Sequence, residues 1–187
     1  MGHQWSIPLV PVSRHRCGVF YDRPPTTDSG ARQGRVTRFY SVAEHSYLGA
    51  NYVLRERKDP LVALAFLFHD AAEAYLKDLA RAVKHAVGPA YSSIEANVQE
   101  VILRKYDLLE VSEREAGYIK DIDRRLVPLE KAAIMKHPQP WAYDQFQPLP
   151  GVNIACFNPP EAKDKWLGCY LRLCVDSGRE WEKWELD

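Results

Sequence analysis

The chain has 187 residues, of which 46% are hydrophobic, enough to bury one well-packed core. Its 25 basic and 25 acidic residues give a formal net charge of zero, so charge supplies no argument for binding nucleic acid or a membrane surface. The four cysteines follow no CxxC or disulfide-rich spacing, and no apolar signal core follows Met1. Both features predict reduced thiols in a cytoplasmic protein.

Residues 1–40 show no sustained hydrophobic period and are interpreted as an irregular segment. The stretch from Pro24 to Gly34 predicts a loop by its composition. The segment is locally basic, which would suit a phosphate-bearing ligand, although such charges are more often a solvated surface. Its arginines are Arg14, Arg16, Arg23, Arg32, Arg35 and Arg38.

The first helix is predicted from Ser41, which forms a capping-box pattern with Glu44, to about Arg57 before a proline. His45 therefore lies in the first helical turn. There the positive end of the helix dipole disfavours an added proton and leaves a neutral imidazole for a metal. An ordinary core or surface histidine is the alternative interpretation.

The segment Leu61–Asp78 opens with eight consecutive apolar residues, too few to span a bilayer. It is predicted to form one buried central helix of the fold. The apolar run meets His69 and Asp70, and buried polar groups must be satisfied inside the protein. A shared cation would satisfy this pair more completely than any single neighbour.

The remaining chain predicts further helices and few convincing strands. After a Gly88-Pro89 turn, capping patterns predict helices from Ser92 to about Tyr106 and from Ser112 towards Met135. Residues 136–160 are rich in proline and aromatic residues and predict a loop, and residues 161–187 a C-terminal helix and tail. The expected fold is all-α, a single domain over 1–187 with a helical core at 41–135.

Hydrophobic periodicity selects a fourth candidate ligand on the last core helix. Its apolar positions recur at intervals of three, four and three, at Ile119, Ile122, Leu126 and Leu129. Asp123 shares their face, whereas Asp121 lies on roughly the opposite face, where an arginine can pair with it. A buried salt bridge of Asp123 with Arg125 or Lys131 is the alternative to a metal site.

The ordered set His45, His69-Asp70 and Asp123 resembles the H…HD…D signature of the HD-domain superfamily, whose members are all-α, metal-dependent phosphohydrolases. The flanking sequences FYSVAEHS, LFHDAAEAYLKDL and KDIDRRL are similar to those of bacterial and phage 5'-deoxynucleotidase-like hydrolases. The resemblance covers roughly residues 30 to 135. It implies that these four residues are the metal ligands.

The resemblance also implies catalytic and substrate-binding roles. Glu73 matches an acidic residue that assists catalysis through water, and Asp78 matches one that takes part in catalysis or in a second metal position. Arg32 resembles the arginine that holds substrate phosphate, but the residue after it and its spacing to the first histidine depart from the family pattern. The candidate phosphate-binding residues are therefore Arg32, Arg35, Arg38 and Lys84.

Two imidazoles and two carboxylates with room for water suit Zn, Mn, Co, Ni or Fe(II), and the resemblance allows a second Mg or Mn ion. The implied activity is release of phosphate from deoxynucleoside 5'-monophosphates. Alternatives are a deoxynucleoside triphosphate triphosphohydrolase, acting for example on dATP, and hydrolysis of cyclic or alarmone nucleotides, which the short chain favours less. A non-catalytic, metal-stabilised module that binds nucleotides or a protein is a different class. The expected partner is a nucleotide, with no stable nucleic-acid or membrane binding, and a homo-oligomer remains open.

Overall fold

A computed structural model describes residues 38–76, 87–135, 140 and 142–179. The described residues form an all-α fold, which confirms the predicted fold class. The predicted single domain over residues 1–187, with its irregular segment, helical core, loop and C-terminal helix, stays a prediction. In chain order the helices are α1 (Val42–Arg57), α2 (Pro60–Leu67), α3 (Glu73–Leu76), α4 (Pro89–Lys105), α5 (Leu109–Arg114), α6 (Ala116–Ile134), a short 3-10 helix (Ala142–Gln145) and α7 (Pro159–Asp176).

Helix α1 begins as the sequence predicts, but only half of the expected capping box forms. The Ser41 hydroxyl accepts a hydrogen bond from the Glu44 backbone N–H at 3.1 Å. The Glu44 carboxylate is fully buried and accepts bonds from the backbone N–H groups of Ala155, Cys156 and Phe157 at 2.7–2.8 Å. Glu44 therefore ties the loop before α7 to the start of α1.

Helix α2 is the centre of the core, because every residue from Val62 to Leu67 is buried. The prediction of one continuous helix over Leu61–Asp78 is wrong, since α2 ends at Leu67 and residues 68–72 form tight turns. An α-helix would pair the Phe66 carbonyl with the N–H of Asp70. Here that carbonyl accepts instead from the backbone N–H of His69 at 3.2 Å and from its ring Nδ1 at 2.6 Å.

Two other helix starts differ from the prediction. Helix α4 begins at Pro89 rather than at Ser92, because proline suits the first helical position, where its missing N–H costs nothing. Ser112 lies inside α5 rather than capping a helix, and a break at Glu115 separates α5 from α6. Pro128 lies within α6 without ending it.

Helix α7 begins at Pro159, two residues before the predicted segment 161–187, and the Asn158 side chain caps it by accepting from the N–H of Glu161 at 3.0 Å. Its aromatic residues Trp166 and Tyr170 pack on Phe68, with ring centroids 5.2 and 5.7 Å apart. Cys156, Cys169 and Cys174, the cysteines within the described ranges, are free thiols, and the reduced state of the protein stays a prediction. None of the helices described here combines the length and the apolar character needed to cross a bilayer.

Candidate metal centre

Four side chains from three parts of the chain converge at one point. His45 comes from α1, His69 and Asp70 from the turns after α2, and Asp123 from α6. Nε2 of His45 lies 3.2 Å from Nε2 of His69, 3.4 Å from an Asp123 oxygen and 3.8 Å from an Asp70 oxygen. Nε2 of His69 lies 3.2 Å from the same Asp70 oxygen. The structure thus brings together all four residues that the sequence nominated, and the group could hold a metal ion.

These separations fit a single shared ion. Zinc-like ions bind imidazole nitrogen and carboxylate oxygen at about 2.0–2.2 Å, so two neighbouring ligands lie about 2.9–3.5 Å apart. Three of the four distances, 3.2, 3.4 and 3.2 Å, lie within that range, and the fourth, 3.8 Å, is slightly longer. Small side-chain adjustments would complete the coordination sphere.

The group is buried on its histidine side and accessible on its carboxylate side. The side chains of His45 and His69 are 2% and 11% exposed, whereas those of Asp70 and Asp123 are 26% and 37% exposed. A purely structural metal site is usually closed to solvent, whereas a catalytic site keeps access for water or substrate. The exposed carboxylate edge provides such access.

Each histidine has its second ring nitrogen fixed by a separate acceptor. Nδ1 of His69 donates to the backbone carbonyl of Phe66 at 2.6 Å, and Nδ1 of His45 is 2.6 Å from a carboxylate oxygen of Glu130. Because a carbonyl and an ionised carboxylate only accept, both rings carry their proton on Nδ1 when neutral. The Nε2 lone pairs therefore face the shared centre, as metal ligation requires.

Without a cation, the surrounding carboxylates favour protonation of both histidines. Burial alone lowers the pKa of His45, but Glu130 and Asp123 offset this effect and the pKa is raised well above 6.5. Burial also lowers the pKa of His69, and Asp70 reverses that effect, so its pKa is raised as well. The carboxylates thus favour positive charge at this point, which a divalent cation would supply more fully.

The Phe66 ring supports both histidines from the core. Its centroid lies 4.3 Å from that of His69 and 6.2 Å from that of His45. Gly49, one turn after His45 on α1, leaves the space for this ring, because a Cβ atom there would overlap the Phe66 ring atoms. A glycine at this position therefore brings α1 and α2 close enough for the two histidines to meet.

Gln99 from α4 holds the backbone on both sides of the His69-Asp70 pair. Its side-chain amide donates to the carbonyl of Phe68 at 2.7 Å, and its oxygen accepts from the N–H of Ala72 at 2.9 Å. The turns at 68–72 leave the Ala72 N–H outside a regular helix, and Gln99 supplies an acceptor for it. The Phe68 carbonyl also accepts from the backbone N–H of Ala71 at 3.1 Å. Gln99 thereby fixes the segment that carries two of the four candidate ligands.

Asp123 lies where the hydrophobic period places it, and the competing salt bridges form elsewhere. Ile119, Ile122 and Leu126 are buried as predicted. Arg125 lies 3.5 Å from Asp121, and Lys131 pairs with Asp144 at 2.6 Å. Asp123 therefore contacts the His45 ring rather than either basic side chain.

Glu73 lies at the start of α3, three residues after Asp70 in the chain. It is buried, with 8% of its surface exposed, and its backbone N–H donates to the Asp70 carbonyl at 3.0 Å. It follows the His-Asp pair by one tight turn, rather than by a regular α-helical turn as expected. Its catalytic role stays a prediction.

Among the four candidate phosphate-binding residues, Arg38 lies in the described part of the chain. Arg38 donates from its guanidinium to the Ala155 carbonyl at 2.7 Å, which ties the chain before α1 to the loop before α7. Its role as a phosphate ligand stays a prediction. Arg32, Arg35, Asp78 and Lys84 lie outside the described residues.

Sequence reasoning missed Glu130, Tyr40, Gln99 and Gly49. For Glu130 a signal existed, because it follows Leu126 by four residues and Asp123 by seven, which places it on the buried face of α6. The contacts of the other three depend on tertiary packing between elements distant in sequence, and their residue types gave no distinguishing pattern.

Part of the chain is similar to a bacterial protein. The chain is 37% identical over 75 residues to the uncharacterized protein YfdR of Escherichia coli strain K12. The match covers 40% of this chain and 39% of that protein, so the chain matches well under half of the relative's length. No family model matches the chain. No solved structure matches it either.

Proposed function

We propose that this protein is an HD-type, metal-dependent phosphohydrolase that acts on nucleotides, with deoxynucleoside 5'-monophosphates as its preferred substrates. The observation that carries the proposal is the convergence of His45, His69, Asp70 and Asp123 within 4.8 Å of one another. The order of these residues along the chain matches the signature of that superfamily. The similarity to YfdR, an uncharacterized protein, adds no argument for a substrate.

The composition of the site suits phosphoryl transfer to water. A divalent ion bound here would supply Lewis acidity towards a phosphoryl oxygen and lower the pKa of coordinated water. The two Nε2 atoms and the two carboxylates would hold the cation, and the exposed edge at Asp70 and Asp123 would admit a polar substrate.

Glu73 is the proposed proton acceptor, because it is a buried carboxylate one tight turn from Asp70. Asp78 is proposed to assist it or to hold a second ion. Basic side chains among Arg32, Arg35, Arg38 and Lys84 would neutralise the phosphate oxygens as charge accumulates in the transition state.

A substrate panel tests the proposal. Protein stripped with a chelator would be incubated with each of Mn²⁺, Co²⁺, Zn²⁺ and Mg²⁺ and with deoxynucleoside mono- and triphosphates. We expect metal-dependent release of inorganic phosphate from the monophosphates, and no release by His69→Ala or Asp70→Ala. Release of triphosphate from deoxynucleoside triphosphates would instead identify a triphosphohydrolase.

Two outcomes would contradict the proposed chemistry. Undiminished hydrolysis after exhaustive chelation would remove the metal from the reaction. Stable metal binding without turnover of any nucleotide tested would favour the non-catalytic, metal-stabilised module. A non-catalytic module does not need the buried Glu73 carboxylate. If the protein is such a module, Glu73→Gln should bind its nucleotide or protein partner as wild type does.

A further inference from the structure

Glu130 lies outside the group of four candidate ligands but contacts one of them directly. Its Oε1 atom is 2.6 Å from Nδ1 of His45, while Nε2 of the same ring faces the other three candidate ligands. The side chains of His45 and Glu130 are 2% and 12% exposed. The same Oε1 atom accepts a hydrogen bond from the Tyr40 hydroxyl at 3.0 Å. Tyr40, Glu130 and His45 thus form a buried chain of hydrogen bonds that ends at the centre.

We infer that Glu130 is a positioning residue for the metal centre, and that Tyr40 holds Glu130 in place. An ionised carboxylate can only accept, so the proton of the neutral His45 ring lies on Nδ1 and the Nε2 lone pair points to the ion. A carboxylate behind a ligating histidine fixes the ring orientation and makes the nitrogen a stronger donor. The inference rests on the metal-binding part of the proposed function and not on hydrolysis.

The two histidines are supported differently, and this difference makes the inference specific to Glu130. The Phe66 backbone carbonyl orients His69 and cannot be removed by substitution. The Glu130 carboxylate orients His45 and also adds negative charge beside the ring. Loss of Glu130 therefore removes both an acceptor and a charge, and these two contributions can be separated by substitution.

Three variants separate the contributions. Glu130→Gln keeps the size and a carbonyl oxygen that can accept from both His45 and Tyr40, but it removes the charge. Glu130→Ala removes both, and Tyr40→Phe removes one hydrogen bond to Glu130. Asp121→Asn is the matched control, because Asp121 lies on the same helix and contacts Arg125 instead of the centre.

Affinity for Mn²⁺ and Zn²⁺ would be measured by calorimetry on chelator-stripped protein. We expect Glu130→Ala to bind each ion about 10- to 100-fold more weakly. Glu130→Gln should fall between Glu130→Ala and wild type, Tyr40→Phe should lose less than Glu130→Gln, and the control should bind as wild type. In ¹⁵N NMR of the zinc-loaded protein, a strongly hydrogen-bonded Nδ1–H of His45 should be visible in wild type and shifted in Glu130→Gln.

The outcomes distinguish this inference from the function on which it rests. If Glu130→Gln and Tyr40→Phe both fold, bind metal as wild type and leave the His45 resonance unchanged, Glu130 is only a satisfied buried group and the inference is wrong. If Glu130→Ala does not fold, the other two variants still decide. If wild type binds none of the ions, the metal-binding proposal fails and this inference fails with it. Absence of nucleotide turnover alone would leave the measured affinities, and this inference, intact.

Discussion

The Nε2 atoms of His45 and His69 lie 3.2 Å apart, although the two residues come from different elements of the fold. Each ring has its Nδ1 committed to another acceptor, Glu130 or the Phe66 carbonyl. Two neutral imidazoles cannot form a hydrogen bond through two facing lone pairs, so this arrangement requires a proton or a cation between them.

Replacing Glu73 should separate metal binding from turnover. We expect Glu73→Gln to retain the ion, because Glu73 is not among the four converging residues. Loss of a proton acceptor should lower kcat by a factor of about 10² to 10⁴. Metal content by elemental analysis and phosphate release would be compared, with Glu110→Gln, an exposed glutamate on α5, as the control. Wild-type turnover in Glu73→Gln would show that the proton acceptor is misassigned.

Gly49→Ala should lower both the stability of the fold and the affinity of the four-residue centre for metal. The added methyl group would overlap the Phe66 ring, and overpacking of this kind typically costs about 1–3 kcal/mol. Displacement of Phe66 would also move its neighbour His69. Urea unfolding and metal titration would measure the two effects.

Gly168→Ala is the matched control for that substitution. Gly168 lies inside α7, and a Cβ atom there meets no other group within 4 Å. Alanine is favoured over glycine in a helix interior by roughly 0.5–1 kcal/mol, so this variant should be as stable as wild type or more stable. Equal stability of Gly49→Ala and Gly168→Ala would contradict the proposed close packing of α1 against α2.

Gln99→Ala should loosen the turns that carry His69 and Asp70. It removes the acceptor of the Ala72 N–H, and leaving a buried backbone group unsatisfied typically costs about 1–3 kcal/mol. The Phe68 carbonyl loses its bond from Gln99 but keeps the one from the Ala71 N–H. Hydrogen exchange at the Ala72 amide should rise, and metal affinity should fall. Glu100→Ala, the neighbouring exposed position on the same helix, should change neither. Unchanged exchange at Ala72 would show that Gln99 does not hold this segment.

Local sequence rules predicted the parts of the fold that are set by short-range contacts. Ser41 and Asn158 cap their helices as their residue types require, and the period of Ile119, Ile122 and Leu126 correctly separated Asp123 from Asp121. Position in the sequence nominated three of the four converging residues. His45 lies in a first helical turn, and His69 and Asp70 lie at the end of an apolar run.

The errors arise where a tertiary contact overrides a local pattern. Glu44 fits a capping box, but its carboxylate binds the backbone at 155–157, which is distant in sequence. The apolar run at 61–68 predicted a helix through His69, but the ring of His69 takes the Phe66 carbonyl and the helix ends. Gln99 matters because those turns leave the Ala72 N–H in need of an acceptor.

The stability of the metal-free protein should fall as pH rises above neutrality. The pKa of His45 is raised well above 6.5 in the fold, because the effects of Glu130 and Asp123 exceed the lowering effect of burial. A raised folded-state pKa means that the folded protein binds this proton more tightly than the unfolded chain does. That stabilisation is fully present below the unfolded pKa of about 6.5 and is lost as pH rises through the folded-state value.

Metal should reverse this trend. A cation replaces the protons on His45 and His69, so its binding strengthens as pH rises towards the same range. We expect urea unfolding of the stripped protein to show declining stability from about pH 6.5 upwards, and a stabilisation by added Zn²⁺ that grows with pH. A metal effect that is independent of pH would argue that the ion binds away from these histidines.

The most direct test of the shared centre is calorimetric titration of chelator-stripped wild-type protein, Asp123→Asn and Asp121→Asn with Mn²⁺ and Zn²⁺. We expect tight binding at the four-residue centre in wild type, retained in Asp121→Asn and weakened by at least about tenfold in Asp123→Asn, because Asp123 contacts the His45 ring whereas Asp121 contacts Arg125. Absence of binding in wild type, or equal affinity in all three proteins, would contradict a cation held jointly by His45, His69, Asp70 and Asp123.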